Sequence, residues 1–530
     1  MRLTSLIAFS ALALIACGRS DDDNSNPDAG SNGSNGSDSF NKIQDVQNDA
    51  MTPGTPVSLH NVVVTAIDKY GSKTGDIWVE EQGGGKRSGV HVYNAQLTDV
   101  ASLNVGDVID LKGAIKAEFA LTGSNADSTG RTETELEPAN GGQITITKSG
   151  MTATITPDKV DALAIGMMYD GTMAAMGGGT AFSNAWEDWE GVLIEIDNVS
   201  ALNAASCVGK SCTDATLREF GLTGVINAES AIGEFAADDT TIRRGSCMKS
   251  VTGVVSYFYD YLIYSRGDAD VVAGGTSCPA TETACGDSID NDGNGFMDCA
   301  DFSCVASSNS CSTAITINSI DVAGDANPAA PVLPTGASRF ESVCVTATAA
   351  SGDMALAQAG TAAADQGLYL FANKQGLPAG AMVGSLVTAA GTVQAFKRTG
   401  STAPEPQIEL NAVGSTVVTG SCTVVPLAVA QTAAQMTVDA TGHKYLGTLV
   451  TLSSANGGKF KVTTANGTGQ FGKFTQGATV FSYYNEFMPT FSPAVNTCYT
   501  DITGMWGYDT NTTGSYELYI TAGTAAADCN

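Results

Sequence analysis

Histidine is almost missing from this chain. There are three in 530 residues, His60, His91 and His443, far apart in sequence. That argues against a histidine-rich zinc or iron centre assembled from neighbouring positions. Positive charge is also scarce: 26 Lys and Arg stand against 55 Asp and Glu, a net charge of −29 with no basic run. Such a surface is a poor electrostatic fit to a polyanion. It suits solubility outside a cell and attraction of divalent cations. Beyond residue 16 no apolar run is long enough to span a bilayer. No Cys–His pair and no Ser–His–Asp set stands out, so the residues offer no reason to expect an enzyme.

What is present begins with Arg2 and the apolar run 3–16, the length of a signal-peptide core. The run closes in Leu14-Ile15-Ala16-Cys17, which resembles the lipobox of bacterial lipoproteins. The resemblance implies that 1–16 is removed and that Cys17 carries lipid. Each buried CH₂ contributes about 0.8 kcal/mol, so several acyl chains make a durable membrane anchor. Gly18, rather than Asp, after the cysteine leans the expectation towards the outer membrane or cell surface. Residues 17–51, opened by Asp21-Asp22-Asp23 and continued by Gly30 to Ser37, bury too little apolar surface to order and form a flexible tether.

From residue 52 the pattern is short strands. Val62 to Ile67 is β-branched, and Asp76 to Glu80 and Gly89 to Tyr93 alternate. Gly106-Asp107 turns into a strand ending at Gly113, and Gln143 to Thr147 closes the set. This order resembles the OB-like domain that accompanies the catalytic domain of secreted nucleases. The fold class expected is all-β: tandem OB-like or small-barrel domains in two duplicated halves, joined by a short disulfide-rich connector. The expected divisions are 52–155, 156–278, the connector 279–312, 313–422 and 423–530.

The duplication rests on matched stretches. Glu341 to Thr348 matches the run from Asn61, and Gly367 to Phe371 matches Gly89 to Tyr93. Tyr445 to Leu452 parallels Trp189 to Ile196, and Ile502 to Tyr508 parallels Val251 to Tyr257. Cysteine spacing repeats too. Leaving out Cys17, twelve remain, an even number that reads as disulfides in an exported chain. Cys247–Cys278 and Cys498–Cys529 have identical spacing, and each such bridge contributes about 3–4 kcal/mol in the chain-entropy model. Cys344–Cys422 is expected to tie the third unit, and Cys207–Cys212 can close a short loop.

The strongest motif lies between the halves. Asp290-Asn291-Asp292-Gly293-Asn294-Gly295-Phe296-Met297-Asp298-Cys299-Ala300-Asp301 fits a twelve-residue calcium loop. Asp290, Asp292 and Asn294 supply the first three oxygens, and Gly295 permits the sharp turn. Phe296 offers its carbonyl, Asp298 follows, and Asp301 takes the closing position usually held by a longer Glu. No amphipathic helix precedes the loop, so a helix–loop–helix sensor is not expected. The stretch resembles the acidic Cys-bracketed repeats of bacterial surface lipoproteins and, more distantly, thrombospondin type-3 repeats. That resemblance implies Ca²⁺ as the cofactor, at an extracellular-type affinity of roughly 10⁻⁴–10⁻³ M. It also implies Cys285–Cys299 around the loop and Cys304–Cys311 after it.

Weaker matches are read as structure. Gly286-Asp287-Ser288-Ile289 has no accompanying His signature, Arg266-Gly267-Asp268 reads as a turn, and Gly83 to Arg87 lacks P-loop spacing. Trp186 and Trp189 are expected in the core rather than stacked on a sugar. The function expected is a non-catalytic, lipid-anchored surface binding or structural module whose halves are held by a Ca²⁺-stabilised connector. A protein or glycan ligand is favoured over nucleic acid. The rival expectation is an accessory single-stranded nucleic-acid-binding protein of an extracellular nuclease system.

Overall fold

The computed structural model describes residues 40–530 except 69–74, 94–96, 124–129, 140–141, 167–183, 208–217, 234–237, 239–240, 280, 321–328, 359–362, 373–375, 413–414, 467–469, 511–513 and 530. Cys17, the tether before residue 40 and Cys212 lie outside the described residues. Four β-sheets follow one another, and each curls into a small barrel.

The first holds β1 (Pro56–Ile67), β2 (Ile77–Glu80), β3 (Gly89–Val92), β4 (Asp107–Phe119) and β5 (Glu133–Pro138), with β6 (Thr145–Thr152) added outside β4. Its order is β1-β2-β3-β5-β4, closed by β1–β4 pairing; neighbours are antiparallel except β3–β5. The second holds β7 (Asp158–Val160), β8 (Leu193–Ser200), β9 (Ser206–Cys207), β10 (Arg218–Leu222), β11 (Ile226–Glu229), β12 (Cys247–Phe258), β13 (Asp260–Tyr264) and β14 (Val271–Ala273). Here an Ala201–Leu222 bridge closes the ring.

The third barrel repeats the first with β15 (Thr313–Ile315), β16 (Ala337–Thr348), β17 (Met354–Gln358), β18 (Gly367–Phe371), β19 (Ser385–Phe396), β20 (Gln407–Asn411) and β21 (Thr416–Ser421). The fourth, β22 (Leu427–Val429), β23 (Leu449–Ser453), β24 (Phe460–Thr464), β25 (Phe471–Gln476), β26 (Thr479–Tyr484), β27 (Cys498–Asp509) and β28 (Ser515–Ala525), closes through β24–β27 and β27–β28. All four share the OB-like strand order, with one parallel pair in each ring: β3–β5, β11–β13, β18–β20 and β26–β28.

Each barrel buries its own apolar cluster, drawn from the inward-facing residues of its strands. The halves match in detail. β1 and β16 carry a bulge at the same point, where Asn61 and Ser342 both adopt a φ of 55°. Gly106 and Gly384, at φ 95° and 89°, turn the chain into β4 and β19. Within each half two backbones cross at glycines. A Cβ on Gly89 would lie 2.1 Å from the Gly191 carbonyl oxygen, and one on Gly367 would lie 2.3 Å from the Gly447 carbonyl carbon. Only glycine permits that approach.

One expectation needs correction here. Gln143 to Thr147 does not close the first barrel; that segment leads into the outer strand β6, and the ring is completed by β5, Glu133-Thr134-Glu135-Leu136-Glu137-Pro138. Three glutamates disguise it as exposed loop, yet Glu133 and Glu135 are buried. The halves also touch directly: 40–530 form one compact unit, and the Ala379 amide donates to the Arg244 carbonyl across the seam at 2.7 Å. Among the described residues no helix is long and apolar enough to cross a membrane.

Candidate metal centre

The connector is built as a series of side-chain-capped turns. Asp290 organises it: Oδ1 accepts from the amides of Gly293 (2.7 Å) and Asn294 (3.2 Å), and Oδ2 from that of Gly295 (2.8 Å). Asp292 Oδ1 accepts from the Asn294 amide, and its Oδ2 from the Glu282 amide, both at 3.3 Å. Gly293 and Gly295, at φ 70° and 91°, allow the tight path. The Gly293 carbonyl accepts from the Gly224 amide of the second barrel at 2.8 Å. Phe296 packs on Phe302, with ring centroids 4.8 Å apart.

The closing positions differ from the calcium-loop expectation. Asp301 caps the helix Phe302–Ser307: its Oδ1 accepts from Ser303 N (2.6 Å) and Cys304 N (3.2 Å), while its Oδ2 accepts from Asn294 Nδ2 (2.6 Å). Asp298, at φ 50°, turns towards the amides of Asp287 and Ser288. The carboxylate that joins Asp290 and Asp292 is Glu282, upstream of the motif. One oxygen from each of these three lies within 4.8 Å of the others, and a second trio unites Glu282, Asp287 and Asp298.

Glu282 is 1 % exposed. Its Oε1 accepts from the Asp298 amide at 3.0 Å, while its Oε2 is buried without a hydrogen bond. Burial, reinforced by Asp301 and Asp290, pushes the Glu282 carboxyl up to about 7. Burial with the Asp301 and Asp290 charges pushes Asp292 up to about 8, and burial raises Asp301. Buried carboxylates this close resist ionising together unless a cation offsets them. Hard, all-oxygen donors with an unused buried oxygen fit Ca²⁺. Glu282 and Asp292, with Asp290, are the residues that would hold it.

The connector disulfides interleave. Cys285 joins Cys304 and Cys299 joins Cys311, in place of the expected Cys285–Cys299 and Cys304–Cys311. The cause is the Asp301-capped helix, which carries Cys304 into the interior, back towards Cys285. Cys247–Cys278, Cys344–Cys422 and Cys498–Cys529 are joined in the structure. Cys207 stands in β9, and its partner position lies outside the described residues.

Beside the loop lies a cleft of about 610 Å³ with walls from the second barrel (Asn203, Arg244), the connector (Asp292, Phe296) and the third barrel (Pro378, Val417). The weaker motifs are structural: Arg266 pairs with Asp270 at 2.9 Å, and Lys86 and Arg87 pair with Asp188. Trp186 is wholly buried in the second core and donates Nε1 to the Gly224 carbonyl at 2.7 Å.

No protein-family model matches this chain, and no curated protein does. Two solved structures are similar in part. One, described as the molecular basis for abrogation of activation of pro-inflammatory cytokines, is 10 % identical, with a TM-score of 0.18 over 43 % of this chain and 97 % of its own. The other, a Replication Protein A heterotrimer bound to ssDNA, is 9 % identical, with a TM-score of 0.18 over 90 % and 95 %. At that score neither likeness bears on what this chain binds. The class defined by its own coordinates is all-β, with several small OB-like barrels and disulfide bonds.

Proposed function

We propose that this is a non-catalytic, lipid-anchored cell-surface module in which Ca²⁺ fixes the connector between two duplicated halves. The observation that carries the reading is Glu282: a buried carboxylate with an unused oxygen, set against Asp290 and Asp292 where the second barrel meets the connector. Calcium binds the ordered connector and not the unfolded one, so it stabilises by RT ln(1 + [L]/Kd). The cleft alongside, with walls from both halves, is the place a protein or glycan would engage. The lipid anchor and the outer-membrane or surface location rest on Leu14 to Cys17 and the polar tether.

Heat unfolding of the full chain during calcium titration tests the connector. The unfolding temperature rises with calcium in the native sequence and stays flat when Asp290→Ala and Asp292→Ala are combined. A native protein indifferent to calcium refutes the reading. Metabolic labelling with a fatty acid, lost on Cys17→Ser, tests the anchor.

A further inference from the structure

The boundary between the first and second barrels holds a second cluster, far from calcium chemistry. His91 lies on β3 and pairs in parallel register with Glu135 on β5. Strand alternation puts Glu133 on the same face as Glu135. All three are buried, at 7 %, 5 % and 4 % exposure. The His91 ring stacks flat on Trp78, with centroids 4.4 Å apart at 6°, so its plane is fixed. Nδ1 lies 3.5 Å from Glu133 Oε1 and 3.5 Å from Glu135 Oε2, and Nε2 lies 3.6 Å from Asp76 Oδ2. All three contacts are at ion-pair distance and longer than a well-formed hydrogen bond.

We propose that His91 Nδ1, Glu133 and Glu135 form a buried site for a divalent transition-metal ion, with Asp76 orienting the imidazole from its other side. Metal–ligand bonds of about 2.1 Å in a tetrahedral site put ligand atoms about 3.4 Å apart. The two Nδ1–carboxylate separations match that edge and exceed hydrogen-bond length. A carboxylate at the far nitrogen is the usual support for a metal-bound imidazole. Ser256 Oγ on β12 donates to Glu133 Oε1 at 2.7 Å, so the second barrel orients one ligand. A nitrogen donor among carboxylates favours zinc-like ions over calcium.

Three carboxylates face one imidazole. Against the pull of burial, Glu133 and Asp76 push the His91 ring up to about 10, so a metal ion binding at Nδ1 displaces a proton. The second half provides an internal comparison. There Tyr369 pairs with Glu409 as His91 pairs with Glu135, and Gln407 stands where the first half has Glu133. Asp353 keeps the place of Asp76, while Ala355 replaces Trp78. Gln407 has a separate task, accepting from the Tyr508 amide at 3.2 Å. The duplication thus kept one barrel boundary as an aromatic contact and turned the other into a donor cluster.

The test is zinc titration of the full chain by calorimetry, with calcium held at roughly 10 mM to saturate a site of extracellular-type affinity. The expected result is one zinc ion per chain. Affinity falls at least about 100-fold in His91→Gln and in Glu133→Gln, and about 10–100-fold in Asp76→Asn. Glu282→Gln in the connector leaves zinc binding unchanged. Should the core variants not fold, anomalous scattering from zinc-soaked native crystals decides, with a peak expected beside His91 Nδ1. A native chain that binds no zinc, variants that bind it normally, or a peak elsewhere overturns the proposal.

Discussion

Glu282→Gln has opposite effects with and without calcium, and that sign reversal tests the connector directly. In the native chain, calcium at 100 times its dissociation constant stabilises by about 2.7 kcal/mol. Exchanging Glu282, whose Oε2 is buried without a hydrogen bond, for a neutral amide weakens binding by roughly 100-fold, which leaves about 0.4 kcal/mol at the same calcium. Without calcium the variant is the more stable protein. The Glu282 carboxyl is pushed to about 7 in the folded state against an ordinary 4.5. Its contribution is therefore complete below pH 4.5 and lost as pH rises through 7. At pH 8 the native chain carries that cost and the amide does not. Because the adjoining cleft opens to solvent, the gain is about 1 kcal/mol, a fraction of the full linkage value. Differential scanning calorimetry at pH 8, in chelator and in calcium, reads both numbers. If Glu282→Gln keeps the native calcium shift, or loses stability in chelator, Glu282 is not a ligand and the account of the cluster fails.

Three further outcomes follow from other parts of the molecule. Gly89→Ala pushes a methyl into the Gly191 backbone and lowers stability by more than about 3 kcal/mol in chemical denaturation, and Gly367→Ala does the same in the second half. Glu517 on β28 is 1 % exposed, and burial, with Asp509 adding, pushes its carboxyl to about 8. Its stabilising contribution is full below pH 4.5 and lost as pH rises through 8, so Glu517→Gln flattens that decline and gains about 2–3 kcal/mol above pH 8. Mass spectrometry of unreduced peptides finds Cys285 with Cys304 and Cys299 with Cys311; recovery of Cys285–Cys299 contradicts the fold of the connector.

The strands visible in sequence are those whose alternation is apolar, such as Val62 to Ile67 and Val251 to Tyr257. The duplication was visible for the same reason, since glycine turns and β-branched runs recur in order. β5 was hidden because Glu133 and Glu135 look solvent-facing, and only the His91 side of the barrel explains their burial. Within the connector, the Asp and Gly spacing pointed to the tight turns around Asp290 and Asp292. It did not point to Glu282, because that residue lies eight positions before the motif and reaches it through a fold. Asp301 caps a helix, a role that Asp followed by Phe302 to Ser307 suits but that the calcium-loop spacing did not show. The cysteine pairs were misassigned by proximity in sequence, which the capped helix overrides.

The interleaving of Cys285–Cys304 with Cys299–Cys311 has a topological consequence. Cut the chain once at any bond between Cys285 and Cys311, and at least one bridge still spans the break. Sequential pairs would leave the stretch from Cys299 to Cys304 unguarded, where one nick would break the covalent link between the halves. Here a single scission leaves a two-chain molecule of unchanged mass on a non-reducing gel, and it falls into two pieces only when thiol is added.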